Sequence, residues 1–484
     1  MGRVTQAEKM LIGGELVESS SGEWSTSVNP ATEEPIGRVP AATAEDVERA
    51  VVAAESAWPD WAARTPMQRA GIMNAFADAV AARADEILNV EVTDTGNTIR
   101  PMRMIDVPTA VESLRYYAGL APDLRGETIP ATRDHIHMTL HEPYGVVARI
   151  APFNHPVMFA VARTAAALAA GNAVIVKPPE TSPLSAMILA EIARDALPPG
   201  VFNIVTGDGP NVGDAIVRHP RVKRIAFIGS PTTGRAIQRA AAEVTVKNVT
   251  LELGGKNPMI VFPDCDPEKV AEAAVAGMNF SWQGQSCGSL SRLLLHEDVH
   301  GRVLDAVAER VAALRMGDPL SEETDVGPVN SKAHMQRILE HCAAADQDGA
   351  RRVLGGGRPV GPQFEKGYWV QPTIYADVTP KLRLWQNEVF GPVLAVGRWK
   401  EFDQAVEMAN STEYGLTAAI WTNDIRNALK MARRVRSGHL WINGSSMHFL
   451  GVPFGGMKTS GVGREEGREE LYSYTETKTI NIML

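Results

Sequence analysis

A chain of 484 residues is too long for one ordinary domain; it points to about two to four, with a cleft between them. With 44% hydrophobic and 22% charged residues it is not a disordered chain, and a net charge of −9 without any long basic run gives no footprint for nucleic acid. Only three cysteines are present, Cys265, Cys287 and Cys342, too few for a disulfide framework, and none stands in a CxxC or Cys/His pattern that would hold a metal.

The N-terminal MGRVTQAEKMLIGGELVE lacks an apolar core between a basic start and a small-residue cleavage site, and nowhere do about 18 consecutive apolar residues occur. The expectation is a cytoplasmic protein with no membrane span. Thr43-Ala-Glu-Asp46 reads as a capping box opening a helix that runs through Ala63, and a second long helical pattern covers 67–92. Between Arg125 and Pro143 the pattern changes to alternation over 135–141, which suits an exposed strand. Over 145–262, Val- and Ile-rich runs alternate with helical stretches: YGVVARI, NAVIVKP, VFNIVTG, RIAFIGS, VTLELGG and PMIVF. The first five start 24 to 29 residues apart, the length of a strand plus a crossover helix, so a doubly wound parallel sheet is expected. The helical stretches between them cover 157–170, stopped at Gly171, and 184–197, stopped by Pro198-Pro199-Gly200. After residue 264 a second α/β alternation begins, with helices over 267–280 and 298–315 and strands near 291–296, 393–398 and 417–421.

Several residues carry chemistry. Cys287, in Gly284-Gln-Ser-Cys-Gly-Ser289, is a thiol flanked by residues that let a ligand approach the backbone. Glu252, in Leu251-Glu-Leu-Gly-Gly-Lys256, puts a carboxylate at the end of a buried strand, where it needs either a raised pKa or a partner. Asn154, in Pro152-Phe-Asn-His-Pro156, follows the first parallel strand, so its amide is placed to face the crevice at that strand's carboxyl end. Lys177-Pro-Pro-Glu180 follows the second, and Gly229-Ser-Pro-Thr-Thr-Gly234 leads from a strand into a helix whose N-terminus suits a pyrophosphate, although the spacing is not GxGxxG.

Taken in order, and joined by Glu388-Val-Phe-Gly-Pro392, Pro453-Phe-Gly-Gly-Met-Lys-Thr-Ser-Gly461, Gly463-Arg-Glu465 and Tyr474-Thr-Glu-Thr-Lys478, these segments resemble the aldehyde dehydrogenase superfamily along most of the chain. The resemblance implies an NAD(P)-dependent enzyme that oxidises a medium-sized aromatic or aliphatic aldehyde or semialdehyde to the acid. By that likeness Cys287 is the nucleophile, Glu252 the general base for hydrolysis of a thioester, and Asn154 a donor to the oxyanion. Glu252 also sets this pattern against a relative that passes the acyl group to CoA. Lys177 and Glu180 are implied to hold the adenosine ribose, Gly229 and Ser230 the pyrophosphate, and Glu388 the nicotinamide ribose, with Phe390 beside the ring. A carboxylate at Glu180 favours NAD over NADP. No metal is implied.

The resemblance places His155, Phe159, Trp282, His448 and Phe449 around the substrate, where two imidazoles could hydrogen-bond a ring hydroxyl or a carboxylate. Where relatives often have Lys, nine residues after the oxyanion Asn, this chain has Arg163, and Glu476 is expected to pair with it. The implied architecture is a doubly wound dinucleotide-binding domain (1–120 and 141–253), a second α/β catalytic domain (254–454), and a β oligomerisation arm with the C-terminal segment (121–140 and 455–484). A homodimer or homotetramer follows, because the arm's edges would otherwise invite uncontrolled pairing.

Overall fold

The computed structural model describes residues 8–483; residues 1–7, the start of the N-terminal segment in which no leader was expected, lie outside the described residues. Capping starts the helices of the N-terminal part. The Thr43 hydroxyl accepts from the Asp46 amide while the Asp46 carboxylate accepts from the Thr43 amide, opening Ala44–Ala63. The pattern over 67–92 is two helices, Pro66–Ala82 and Ala84–Thr95, broken at Arg83, whose guanidinium turns to Glu86 and Glu191. Apolar spacing continues across the break because both helices bury a face against Ile99–Leu120. The stretch over 157–170 is likewise split, into Pro156–Ala162 and Ala165–Ala170. Between them the Thr164 hydroxyl donates to the Ala160 and Val161 carbonyls and so satisfies the end of the first helix.

The five anticipated strands are Val146–Ile150, Ala173–Lys177, Phe202–Ile204, Arg224–Ile228 and Asn248–Glu252, all parallel. Alternate residues point to opposite faces. Val147, Val174 and Val176 join a core with Phe76, Tyr117 and Leu168, while Val146, Ala148 and Ile175 join one with Met10, Val51 and Phe227. Burial on both faces is what makes these strands read as unbroken apolar runs. Short antiparallel strands, too brief to show a period, border this sheet: Met10–Ile12 and Glu15–Val17 on one side and Gly461–Val462 on the other.

The sixth apolar run, Pro258–Val261, leaves for a second sheet. There it lies between Arg292–His296 and Thr417–Trp421, flanked by Val393–Trp399, Thr373–Ala376 and an antiparallel edge strand Arg351–Leu354 on one side and by His439–Ile442 on the other. A third sheet pairs Thr475–Met483 with His135–Pro143 and adds Thr128–Ile129. Most of 455–474 does not extend this arm but packs on the first sheet, with Leu471 and Tyr474 in its core. No helix among the described residues is long and apolar enough to cross a membrane.

In the first sheet Val146–Ile150 lies between Ala173–Lys177 and Arg224–Ile228, so connections leave it in both directions. That reversal opens a crevice at the carboxyl ends of the strands.

Candidate active site

Four strands end at the border of the crevice. Asn154 follows Val146–Ile150, Lys177 ends Ala173–Lys177, Gly229 and Ser230 follow Arg224–Ile228, and Glu252 ends Asn248–Glu252. The second sheet adds Cys287, on the segment leading to Arg292–His296. Two cavities, of about 250 and about 390 Å³, share four residues: Asn154, Ile228, Glu252 and Cys287.

The thiol is held by its loop. After the short turn Phe280–Trp282 the backbone is left-handed at Gln283 and Gly284, and a Cβ at Gly284 would come 2.2 Å from the Gly391 carbonyl oxygen, so only glycine lets the two segments touch. Asn257 Nδ2 donates to the carbonyls of Cys287 (2.7 Å) and Ser289 (2.9 Å). Burial, with the negative charge of Glu388 and Glu252, pushes the Cys287 thiol up to about 12. The other thiols lie elsewhere, Cys265 beside Asp264 and Cys342 buried within Lys332–Gln347. Glu252 is buried with neither carboxylate oxygen bonded, and burial followed by the charge of Glu465 lifts its pKa well above the carboxylate range. Asn154 spends one amide hydrogen on the Gln285 carbonyl (2.9 Å), which leaves the other.

The smaller cavity is walled by Gly229, Ser230, Glu388 and Phe390. Ser230 caps Pro231–Val244, its hydroxyl accepting from the Thr233 amide at 3.2 Å. Glu388 accepts from the Gly255 amide at 2.8 Å, and burial lifts its carboxyl to about 7. Phe390 sits at a left-handed φ of 52°, its carbonyl accepting from His334 Nε2 at 2.7 Å. His334, Arg337 and His341 line the same cavity. Sequence reasoning missed them, although spacings of three and four along Lys332–Gln347 place them on one helix face.

Lys177 and Glu180 do not line this cavity. Burial lowers the Lys177 amine to about 8, and its Nζ donates to the Pro178 carbonyl at 3.0 Å. Exposed Glu180 accepts from the Gly209 amide at 3.1 Å, so both lie beside the Gly209–Gly213 turn.

The larger cavity is walled by His155, Phe159, Trp282 and His448; Phe449 is 55% exposed and does not line it. His155 Nδ1 donates to Asp106 at 3.0 Å, and His448 Nδ1 to both oxygens of Glu466 at 3.1 Å. Arg163 does not pair with Glu476. Its Nε lies 3.0 Å from Glu465, and its Nη2 bonds Glu466 at 2.5 Å. Glu476 stands instead on the arm, opposite Glu142 and exposed, because Thr475 begins the strand that carries the chain away from the crevice. Glu465 also binds Arg149 at 2.9 Å, while the nearby Arg163 holds Glu466 down at about 2. Gly463-Arg-Glu465, a motif of the family resemblance, carries one partner of Arg163, but nothing in it marks that pairing.

Residues 16–480 match the family described as the aldehyde dehydrogenase family. An aldehyde dehydrogenase, TropH, of Talaromyces stipitatus is 44% identical over 478 residues, 96% of this chain and 92% of that protein. The NAD+ complex of an aldehyde dehydrogenase from Bacillus cereus superposes with a TM-score of 0.96 at 37% identity, covering 99% of this chain and 97% of that one. An NAD-dependent aldehyde dehydrogenase from Sinorhizobium meliloti gives 0.96 at 36% identity, covering 100% and 96%.

Proposed function

The chain belongs to the aldehyde dehydrogenase family and is an NAD(P)-dependent aldehyde dehydrogenase, and from that premise we propose that Cys287, Glu252 and Asn154 carry the reaction through an enzyme-bound thioester. The observation behind this reading is that the three side chains line both cavities at once, so one carbonyl carbon at their meeting point is within reach of nucleophile, base and cofactor site.

Cys287 Sγ adds to the aldehyde carbon as a thiolate, making it tetrahedral. Asn154 donates its free amide hydrogen to the oxygen that gains charge; a neutral donor stabilises that oxygen without trapping it, and losing one such donor costs about 100-fold to 1000-fold in rate. The residues fit the dinucleotide by their chemistry: Glu388 accepts from ribose hydroxyls, Phe390 flanks the ring, and Ser230 opens a helix N-terminus suited to pyrophosphate. When bound, nicotinamide supplies the hydride acceptor, and what is left on Sγ is a thioester. Glu252, unbonded and made more basic by burial, then removes a proton from the water that attacks this thioester and releases the acid. Lys177 and Glu180 serve the adenosine end, where the Glu180 carboxylate accepts from a 2′-hydroxyl and repels a 2′-phosphate, so NAD is preferred to NADP. The substrate is a medium-sized aromatic or aliphatic aldehyde or semialdehyde.

Presteady-state NADH absorbance tests the reading. Cys287→Ala gives no NADH with any aldehyde, and Glu252→Gln gives a single-turnover burst followed by a stall. Steady turnover by either variant overturns these roles.

A further inference from the structure

The larger cavity holds an arrangement that oxidation of an aldehyde does not require. It has mainly aromatic and apolar walls, with Met158, Phe159, Trp282, Trp441 and Phe454, yet two imidazoles enter it from different parts of the fold. His155 stands at the turn before Pro156–Ala162, and His448 lies beyond the end of His439–Ile442. Each is backed by a buried carboxylate, Asp106 at 3.0 Å and Glu466 at 3.1 Å, and each uses Nδ1 for that bond.

Both acids are themselves fixed. Asp106 adjoins Glu91, which is buried, accepts from the Val157 amide at 3.3 Å, and has a carboxyl lifted well above its ordinary range by burial and by the charge of Asp106. Glu466 is clamped by Arg163. The rings are fixed too. His155 lies 4.3 Å from Trp282, and His448 lies 4.7 Å from Phe454 and stacks on His439 at 6.0 Å.

In the neutral ring, a carboxylate that accepts from Nδ1–H sets the tautomer, leaving Nε2 with its lone pair and no bond to protein. Two such nitrogens are acceptors and call for a donor on the substrate. A carboxylate substituent is poorly served, because Arg163, the guanidinium lining this cavity, is occupied by Glu465 and Glu466.

We propose that the substrate is an aromatic aldehyde bearing a ring hydroxyl, which donates to Nε2 of His448 or His155, with Glu466 and Asp106 as positioning residues that fix the accepting tautomer. This rests on the catalytic reading above and narrows its substrate class. A site built to accept from a hydroxyl rejects an analogue that lacks it more strongly than an apolar pocket rejects a missing methylene.

The test is kcat/KM with NAD for benzaldehyde, its three hydroxy isomers, the matching methoxy ethers and a carboxybenzaldehyde. At least one hydroxy isomer should exceed both its ether and benzaldehyde by tenfold or more, and the carboxy compound should be poorer than the best hydroxy isomer. His448→Phe or His155→Phe should bring the hydroxy-to-methoxy ratio to near one. Where His448→Phe removes the preference, Glu466→Gln should do the same with the imidazole still in place: Arg163 must face the amide oxygen, so the amide N–H₂ turns to Nδ1 of His448 and leaves Nε2 as a donor.

A wild-type ratio near one, a preference for the carboxy compound, or a ratio that survives both His variants overturns the proposal. The wild-type panel decides even if a variant fails to fold. Absence of NADH with every aldehyde would instead overturn the catalytic reading.

Discussion

Cys287 is half-buried beside carboxylates, and that has a measurable consequence. With the thiol pushed up to about 12 and Glu252 also raised, both groups reach their reactive, ionised forms only as pH rises. Hydrolysis of the thioester, which needs the Glu252 carboxylate, should therefore accelerate as pH rises beyond the ordinary carboxylate range in the wild type, and stopped-flow decay of the acyl-enzyme in Glu252→Gln should lose that slope. Lys256 offers a stability counterpart. Its amine is buried and unbonded, and burial lowers it from 10.5 to about 7. Below that value the folded and unfolded states both carry the proton and the full destabilisation is felt. Between about 7 and 10.5 only the unfolded chain stays protonated, so folding recovers stability as pH rises. Lys256→Met should thus raise Tm more at pH 7 than at pH 10. The residues of the candidate reaction were legible in sequence because each sits in a short motif at a strand end or turn, where local pattern and position coincide. Arg163 was not, since it meets Glu466 across 303 positions and nothing local distinguishes Glu465 and Glu466 from Glu476. His155 and His448 were visible as residues, whereas Asp106 and Glu91 behind His155 lie on helices from another part of the chain.

Among the elements, the ion cluster explains a break that helix propensity does not announce. Arg163 ends Pro156–Ala162 and delivers its guanidinium to Glu465 and Glu466, so the helix stops where a buried charge must be met. Arg163→Met removes the buried cation shared by Glu465 and Glu466, leaving them only Arg149 and His448, and should cost about 3–5 kcal/mol of stability, read by denaturant unfolding. The Cys287 loop depends in the same way on Gly284. Alanine there adds a methyl in a left-handed conformation directly against the Gly391 carbonyl, so Gly284→Ala should lower kcat by displacing Cys287 and Phe390 together, with a fall in Tm measured on the same sample. Strand rhythm revealed the first sheet because uniform crossovers repeat it. Helix breaks and edge strands of two or three residues escaped, for each is decided by a tertiary contact and not by period.

At the scale of the molecule, the arm shows two faces. Ile136, Met138 and Leu140 lie with Ile480 and Ile482 on one side, and His135, His137 and His141 with Thr and Asn on the other. The apolar side is partly exposed, with Ile136 at 38%, Leu140 at 41% and Ile482 at 40%. We propose that a second copy of the chain covers it; Leu140→Lys should then shift the species seen by sedimentation toward the monomer. The cavities that meet at Cys287 have rims on different parts of the surface, Ile105 and Met447 for one and Ser230 and Arg337 for the other. On the proposed function, traffic through the enzyme uses separate doors: the acid should leave by the way the aldehyde came in, and spent dinucleotide should be exchanged from the far side. Product acid should compete with aldehyde alone, and an aldehyde tethered to a solid bead should still be turned over, because its anchor never stands in the cofactor's doorway.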